Sequence, residues 1–378
     1  MTFSDGLVGR SNAFGLLRLV LALLVIVSHA FPIGGFGKDP FGQWTNGQAE
    51  LGDLAVVGFF AVSGYLITKS AQRSTTADFV WRRFLRIMPA FWFVLLVTAA
   101  VIGPINYVRL HGGLDAYLDG PDGPVQFVTS NALLMMRQFT IHDVFSDAPM
   151  AGGQPGVLNG SLWTLFFEVL CYLMVGLLAA VGLASGRWSW VVAALALLFY
   201  AGAALVPLVG VTSYTLTEIL RLGSVFLTGA TVAVFAARIP FDGRIATGCA
   251  AVLIATAAFG GLRSAGYVAL TYLVLWAAGR APRSLHRVGS VNDLSYGVYI
   301  FAWPVQMMLA IHGAATWGYG WYVLACTLAV VPCAALSWWL IEKPALALKD
   351  WTFWRRRRPA GTTIPSSNPV AGPQPPGA

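Results

Sequence analysis

Apolar runs of about twenty residues, parted by short polar stretches, recur along most of this chain. That run length matches the hydrocarbon thickness of a bilayer. The pattern predicts spans at 12–33, 51–70, 87–105, 159–183, 188–209, 215–236, 244–262, 266–280, 294–313 and 318–341. Helices are the economical form for them, because a helix satisfies its own backbone without water. The run 266–280 is short enough to be tilted or partly re-entrant. The first span lacks a small-residue cleavage site and reads as a retained signal anchor. The predicted fold class is an all-α polytopic membrane protein with about ten transmembrane helices. Residues 1–346 form its membrane domain, and 347–378 form a tail that is first basic and then disordered.

Composition supports this picture: 57% of residues are hydrophobic and only 11% charged. A soluble domain carries about 25% charged residues. Orientation follows from the basic residues. With the N-terminus in the cytoplasm, 18 of the 24 Lys and Arg fall on the inside, 4 outside and 2 within spans. Both termini are therefore expected inside. The net charge of +8 needs no nucleic-acid partner, since orientation and anionic lipid headgroups account for it, including the run Arg355–Arg358. Cys171, Cys249, Cys326 and Cys333 all fall within spans and read as packing residues, not as a disulfide or metal framework. The segment 106–158 is expected outside. It is rich in Asp, has a possible interfacial helix at 125–139, and carries Gly112-Gly113 and Gly152-Gly153, which suit a lid.

Ionisable groups inside spans are costly and mark function by default. Glu218 and Arg221, three apart on one helix face, can neutralise each other, which favours a structural role. Arg18 and His29 are eleven residues apart, roughly 16 Å and three turns, so they share a face. Glu168, in the fourth span, is expected near the depth of His29, and an imidazole beside a carboxylate suits proton transfer near neutral pH. Ser63-Gly64 is expected at the depth of Arg18, where helix packing alone would also explain it. Arg83 and Arg86, three apart at the entry to the third span, form a fork suited to phosphates, although anchoring at the inner face would use the same residues.

These residues resemble the acyltransferase-3 family of membrane O-acyltransferases. The resemblance runs from residue 12 to about 346 and rests on six motifs. They are Arg18 with His29, Gly58–Ile67 around Ser63-Gly64, and Arg82-Arg83 with Arg86, Ile87 and Pro89. The others are Ser161-Leu162-Trp163-Thr164-Leu165 with Glu168, Leu294–Gly297 with Tyr299, and Ile341-Glu342-Lys343-Pro344. Many members carry a further histidine in the penultimate span, where this chain has Ala302, which places more weight on His29. Some members also fuse an esterase-like domain after the last span. This chain ends soon after Pro344 and is expected to act alone or with a separate partner protein.

The resemblance implies an acyl-coenzyme A donor, usually acetyl-coenzyme A, with no permanently bound cofactor and no metal. It implies a carbohydrate or glycoside hydroxyl as acceptor, within a bacterial cytoplasmic membrane. On that basis His29 is the base, Glu168 its partner and Arg18 a catalytic cation. Arg83 and Arg86, with Arg82 as helper, take the donor's phosphates, and Ser63, Gly64, Ser161, Trp163 and Tyr299 line the substrate path. Arg18, Ser63 or Ser161 would meet the developing oxyanion, and both direct transfer and an acyl-histidine relay stay open. The competing readings are a transporter or flippase using the same buried charges, and a glycosyltransferase with its acid at Asp39, Glu50 or Asp53.

Overall fold

The computed structural model describes residues 1–7, 12–151 and 156–351. Arg10, Gly152-Gly153, the run Arg355–Arg358 and the tail from 352 lie outside the described residues. Within them the chain is helical, with one isolated β-bridge between Thr2 and Pro240 and no strand. Ten helices carry the bundle: α1 Phe14–Ile33, α2 Leu51–Ala71, α3 Thr76–Val97, α4 Trp163–Ala180 and α5 Trp190–Leu208. They continue as α6 Tyr214–Val234, α7 Gly243–Phe259, α8 Tyr267–Arg280, α9 Ser295–Ile311 and α10 Tyr319–Ser337.

Seven of the described helical stretches are long and apolar enough to cross a membrane, and α7, α8 and α9 are shorter. Every predicted span meets a helix, but α3 differs most from its prediction. It starts at Thr76, where Thr75 caps it by accepting from Asp78 N at 3.2 Å. It then runs through a π-helical turn, Thr98–Ile102, into Gly103–His111. The continuous stretch of 36 residues is about 54 Å long, well beyond a hydrocarbon core. The arginine motif therefore lies inside a helix, with its geometry fixed, and not at a helix entry.

Close packing comes from small residues. A Cβ on Gly64 would sit 2.0 Å from the Phe226 carbonyl oxygen, and one on Gly229 2.2 Å from that of Ala61. The α2 and α6 backbones thus touch, and Gly64 serves this crossing. Its neighbour Ser63 faces the other way, into the site.

The α1–α2 register sets the depths of the key residues. Gly52 packs on Ser28, and Gly58 on Leu21. Carried onward, this antiparallel register brings Ser63 level with Leu17 and Arg18. His29 stands at the opposite end, beside the start of α2.

The segment 106–158 begins with the end of the helix Gly103–His111 and then contains a helix of eight residues, Pro124–Asn131, shorter than the predicted 125–139. Asn131 ends it: its side chain accepts from the backbone N–H of Arg137 at 2.8 Å and donates to the Gln138 carbonyl at 2.7 Å, folding the chain back. Phe127, Ile141, Val144, Phe145 and Leu158 are fully buried, so the segment has its own packed centre.

Candidate active site

A cavity of about 850 Å³, counting its open mouth, lies between α2, α3, α4 and α9, with Arg18 of α1 reaching into it. It contains Arg18, Ser63, Arg83, Arg86, Glu168, Tyr172, Tyr296 and Tyr299, all of which except Tyr172 belong to the motifs. From Ala55 to Thr68 the half-buried residues of α2 are Val56, Phe59, Ser63 and Leu66. That three-four-three spacing is one helix face, and all four line the cavity. Val56 and Ile67 mark its ends, a slot about 16 Å long by helix rise. Charge gathers in the half near Ser63 and Arg83, while the Val56 end is apolar.

The three arginines of α3 do different things. Arg86 donates to Asp293 Oδ2 at 2.6 Å and to Glu342 Oε2 at 3.2 Å, and its guanidinium lies over the Tyr296 ring. Asp293 also meets Arg18 at 3.0 Å and accepts from the Ser295 hydroxyl at 2.6 Å. Glu342 is buried and accepts from Ser337 Oγ at 3.1 Å. Arg86 is thus a doubly paired strut joining α3, α9 and the end of α10. Arg82 turns away from the cavity to Asp350 at 3.5 Å. Adjacent residues on a helix point about 100° apart, so Arg83 faces a different side from Arg82. It lies over the Tyr172 ring and lines the cavity without a carboxylate within salt-bridge distance among the described residues.

Glu168 and His29 are not paired. Glu168 accepts from Ser63 Oγ at 3.2 Å and from Tyr172 OH in a short hydrogen bond, with Arg83 and Arg86 as nearby cations. Through Ser63 it sits at the depth of Arg18, roughly 16 Å by helix rise below His29. The predicted depth assumed a helix from 159. In the structure residues before Trp163 enter without helical form, held by the Asn159 side chain donating to the Ile300 carbonyl at 2.8 Å. That descent carries Glu168 deeper than a helical count from 159 allows.

His29 stands beyond the Val56 end of the cavity and does not line it. Its ring lies edge-on to Trp303 at 4.9 Å, and a Cβ on Gly52 would be 3.8 Å from Nε2. Nδ1 is buried with no hydrogen-bond partner, and Asp53 and Asp39 are the carboxylates that act on the ring electrostatically. Asp39 accepts from Ser28 Oγ at 2.6 Å and Leu51 N at 2.9 Å, fastening the loop between α1 and α2. Asp53 lies 3.9 Å from Arg221, whose main partner is Glu218 at 2.6 Å, the neutralising pair expected from their spacing.

The remaining predicted residues divide. Tyr299 lines the cavity, its hydroxyl bonded to Thr164 at 2.6 Å and to the Ser161 carbonyl at 2.9 Å. Ser161 is buried just outside, its hydroxyl without a partner in the described structure. Trp163 packs on Phe167 and Tyr214 away from the cavity, as Gly64 does on α6. The motif reading passed over Asp293 and Tyr172, and Asp53 entered only as a candidate acid of the glycosyltransferase reading. Asp293 had a signal, its place beside the Leu294-Ser295-Tyr296 element.

The described structure is a bundle of apolar helices with a charged slot that is apolar at one end. Residues 11–339 match the acyltransferase domain family, acyltransferase-3, and the chain belongs to it. It is similar to an O-acetyl transferase of Shigella phage Sf6, 30% identical over 352 residues, which covers 88% of this chain and 96% of the relative. It is also similar to Nodulation protein 10 of Rhizobium leguminosarum bv. viciae, 30% identical over 388 aligned residues, covering 92% of this chain and 96% of the relative. No solved structure matches. The protein is an integral membrane O-acyltransferase, which sets aside the transporter and glycosyltransferase readings.

Proposed function

We propose that the protein moves an acyl group, in the first instance acetyl, from cytoplasmic acyl-coenzyme A to a hydroxyl of a sugar or glycoside. Its membrane would be the bacterial cytoplasmic membrane, crossed ten times with both termini inside. The observation that carries this reading is Arg83, a cavity-lining guanidinium with no carboxylate within salt-bridge distance among the described residues, in a slot whose other arginines are ion-paired. The Arg18 and Arg83 half faces the cytoplasm by the distribution of basic residues, which is where a polyanionic coenzyme would arrive. Arg83 binds its phosphates, and the thioester arm lies along α2 toward Val56. The O-acetyl transferase name of the phage relative supports acetyl as the group carried.

At the other end His29 serves as base. Neutral imidazole removes the acceptor hydroxyl proton as the oxygen attacks the thioester carbonyl; the C–S bond breaks and the thiolate leaves. Asp53 and Asp39 offset the charge that His29 gains, the part first expected of Glu168. The free Ser161 hydroxyl, beside Tyr299 and short of Trp303, is the donor best placed for the oxyanion. Glu168, held by Ser63 and Tyr172, serves the donor slot instead. Because Val56, Phe59 and Tyr299 stand between slot and histidine, transfer requires that wall to part. Purified protein supplied with radiolabelled acetyl-coenzyme A and a glycan extract tests the reading: label enters the glycan fraction, and failure to do so with correctly folded protein refutes it.

A further inference from the structure

An aromatic ring stands near the Val56 end of the slot. Phe59 projects from the cavity face of α2 and meets Tyr299 edge-on, centroids 5.7 Å apart at 64°. The two aromatics are held very differently. Tyr299 is 7% exposed, and its hydroxyl is fixed by Thr164 and by the Ser161 carbonyl. Phe59 is half-buried, open to the cavity on one side, and has no polar anchor. Tyr299 is thus fixed by its hydroxyl, while Phe59 is held by apolar contact alone. Around them Val56, Phe60 and Leu165 make this end apolar, while Arg83, Glu168 and Ser63 line the other. A thioester that enters with its phosphates at Arg83 therefore brings its acyl end under Phe59. Gly52, beside His29, lies four residues further along α2 than Val56, about 6 Å.

We propose that Phe59 is the acyl-length determinant: closed against Tyr299, it ends the donor slot so that only a short acyl group fits beneath it. This rests on the acyl-coenzyme A reading of the slot. A short group lets the ring close and keeps the thioester apart from the His29 side until an acceptor arrives. Each added methylene must either push the ring off Tyr299 or draw the thioester back toward Arg83.

The test is competition against radiolabelled acetyl-coenzyme A bound to the purified full-length protein, using unlabelled acetyl-, butanoyl- and hexanoyl-coenzyme A and free coenzyme A. For the wild type, hexanoyl-coenzyme A is expected to compete roughly tenfold or more weakly than acetyl-coenzyme A, the scale of discrimination a hydrophobic pocket gives against added methylenes. Phe59→Ala brings the two within about threefold while free coenzyme A competes as before. Phe59→Leu, which retains apolar packing, shifts the profile in the same direction and guards against a folding defect. Length-independent competition in the wild type, or profiles in both variants that superimpose on the wild type, would overturn the proposal and leave the donor reading standing. A wild type that retains neither acetyl-coenzyme A nor coenzyme A overturns the donor reading, and the proposal with it.

Discussion

Arg86 and Asp293 meet at 2.6 Å across 207 residues of sequence, and the same carboxylate oxygen holds Arg18 at 3.0 Å. One half-buried acid thus fixes two cations at the floor of the slot. Removing it leaves Arg18 without its partner and Arg86 with Glu342 alone. Breaking a buried pair in this way costs about 3 kcal/mol or more. Asp293→Asn is expected to lower the melting temperature of the detergent-purified protein by several degrees, roughly, and transfer by at least about tenfold. Asp293→Glu should recover part of both. Thermal unfolding and turnover of the three proteins measured side by side check it, and an Asn variant equal to wild type in both would remove Asp293 from the framework.

The contrast between Arg83 and Arg86 gives a second test. Arg83 has no carboxylate partner to abandon, so Arg83→Ala should fold normally. Loss of a charged hydrogen bond to substrate, about 1.5–3 kcal/mol, raises the KM for acetyl-coenzyme A by roughly 10- to 100-fold. Acetyl-pantetheine, which lacks the nucleotide phosphates, should be used equally well by wild type and variant. Arg86→Ala leaves Glu342 without a cation and Asp293 with Arg18 alone, and is expected to unfold at lower temperature whichever donor is present. If the two variants behave alike, the division of roles drawn from their contacts fails.

His29 presents a buried, unpaired Nδ1 beyond the end of the slot. General-base catalysis is worth about 10²–10⁴ in rate. His29→Gln should lose transfer on that scale while binding acetyl-coenzyme A as tightly as wild type, because the histidine does not line the slot. Glu168→Gln is expected to do the reverse, weakening donor binding first. Equilibrium binding and single-turnover transfer on both variants separate these outcomes; weakened donor binding in His29→Gln would bring the histidine into the donor slot.

What could be read in the chain was governed by helical geometry. Twenty-residue apolar runs announced the helices, and an eleven-residue interval set Arg18 and His29 on one face. Ser63 at the depth of Arg18 follows from the same counting. Glu168 escaped it because residues before Trp163 descend without helical rise, so position in sequence ceased to measure depth. The pairing of Asp293 and Glu342 with one arginine escaped for a different reason. Their partner Arg86 is more than 200 residues away, and no local periodicity encodes such a pairing. Gly64 and Trp163 belonged to matching motifs, yet a motif does not say which residues face a cavity and which face a neighbouring helix.

The segment after α3 is tied back by Arg109, which meets Asp147 through two hydrogen bonds of 2.7 Å. Those bonds hold the Asp147 carboxyl below its ordinary range. A depressed carboxylate stabilises the folded arrangement above its unfolded pKa, about 3.9, and the contribution is lost as pH falls through the lower folded value. The bridge is therefore intact at neutral pH and releases only in strong acid. Both side chains are partly exposed, so the pair is worth no more than about 1 kcal/mol. Arg109→Ala is expected to speed amide exchange around residues 143–151 at pH 7, with little change in global melting and with the acid dependence abolished. Hydrogen exchange compared at pH 7 and pH 3 checks this: if wild-type protection of that stretch is the same at both values and in the variant, the bridge is not what holds the segment in place.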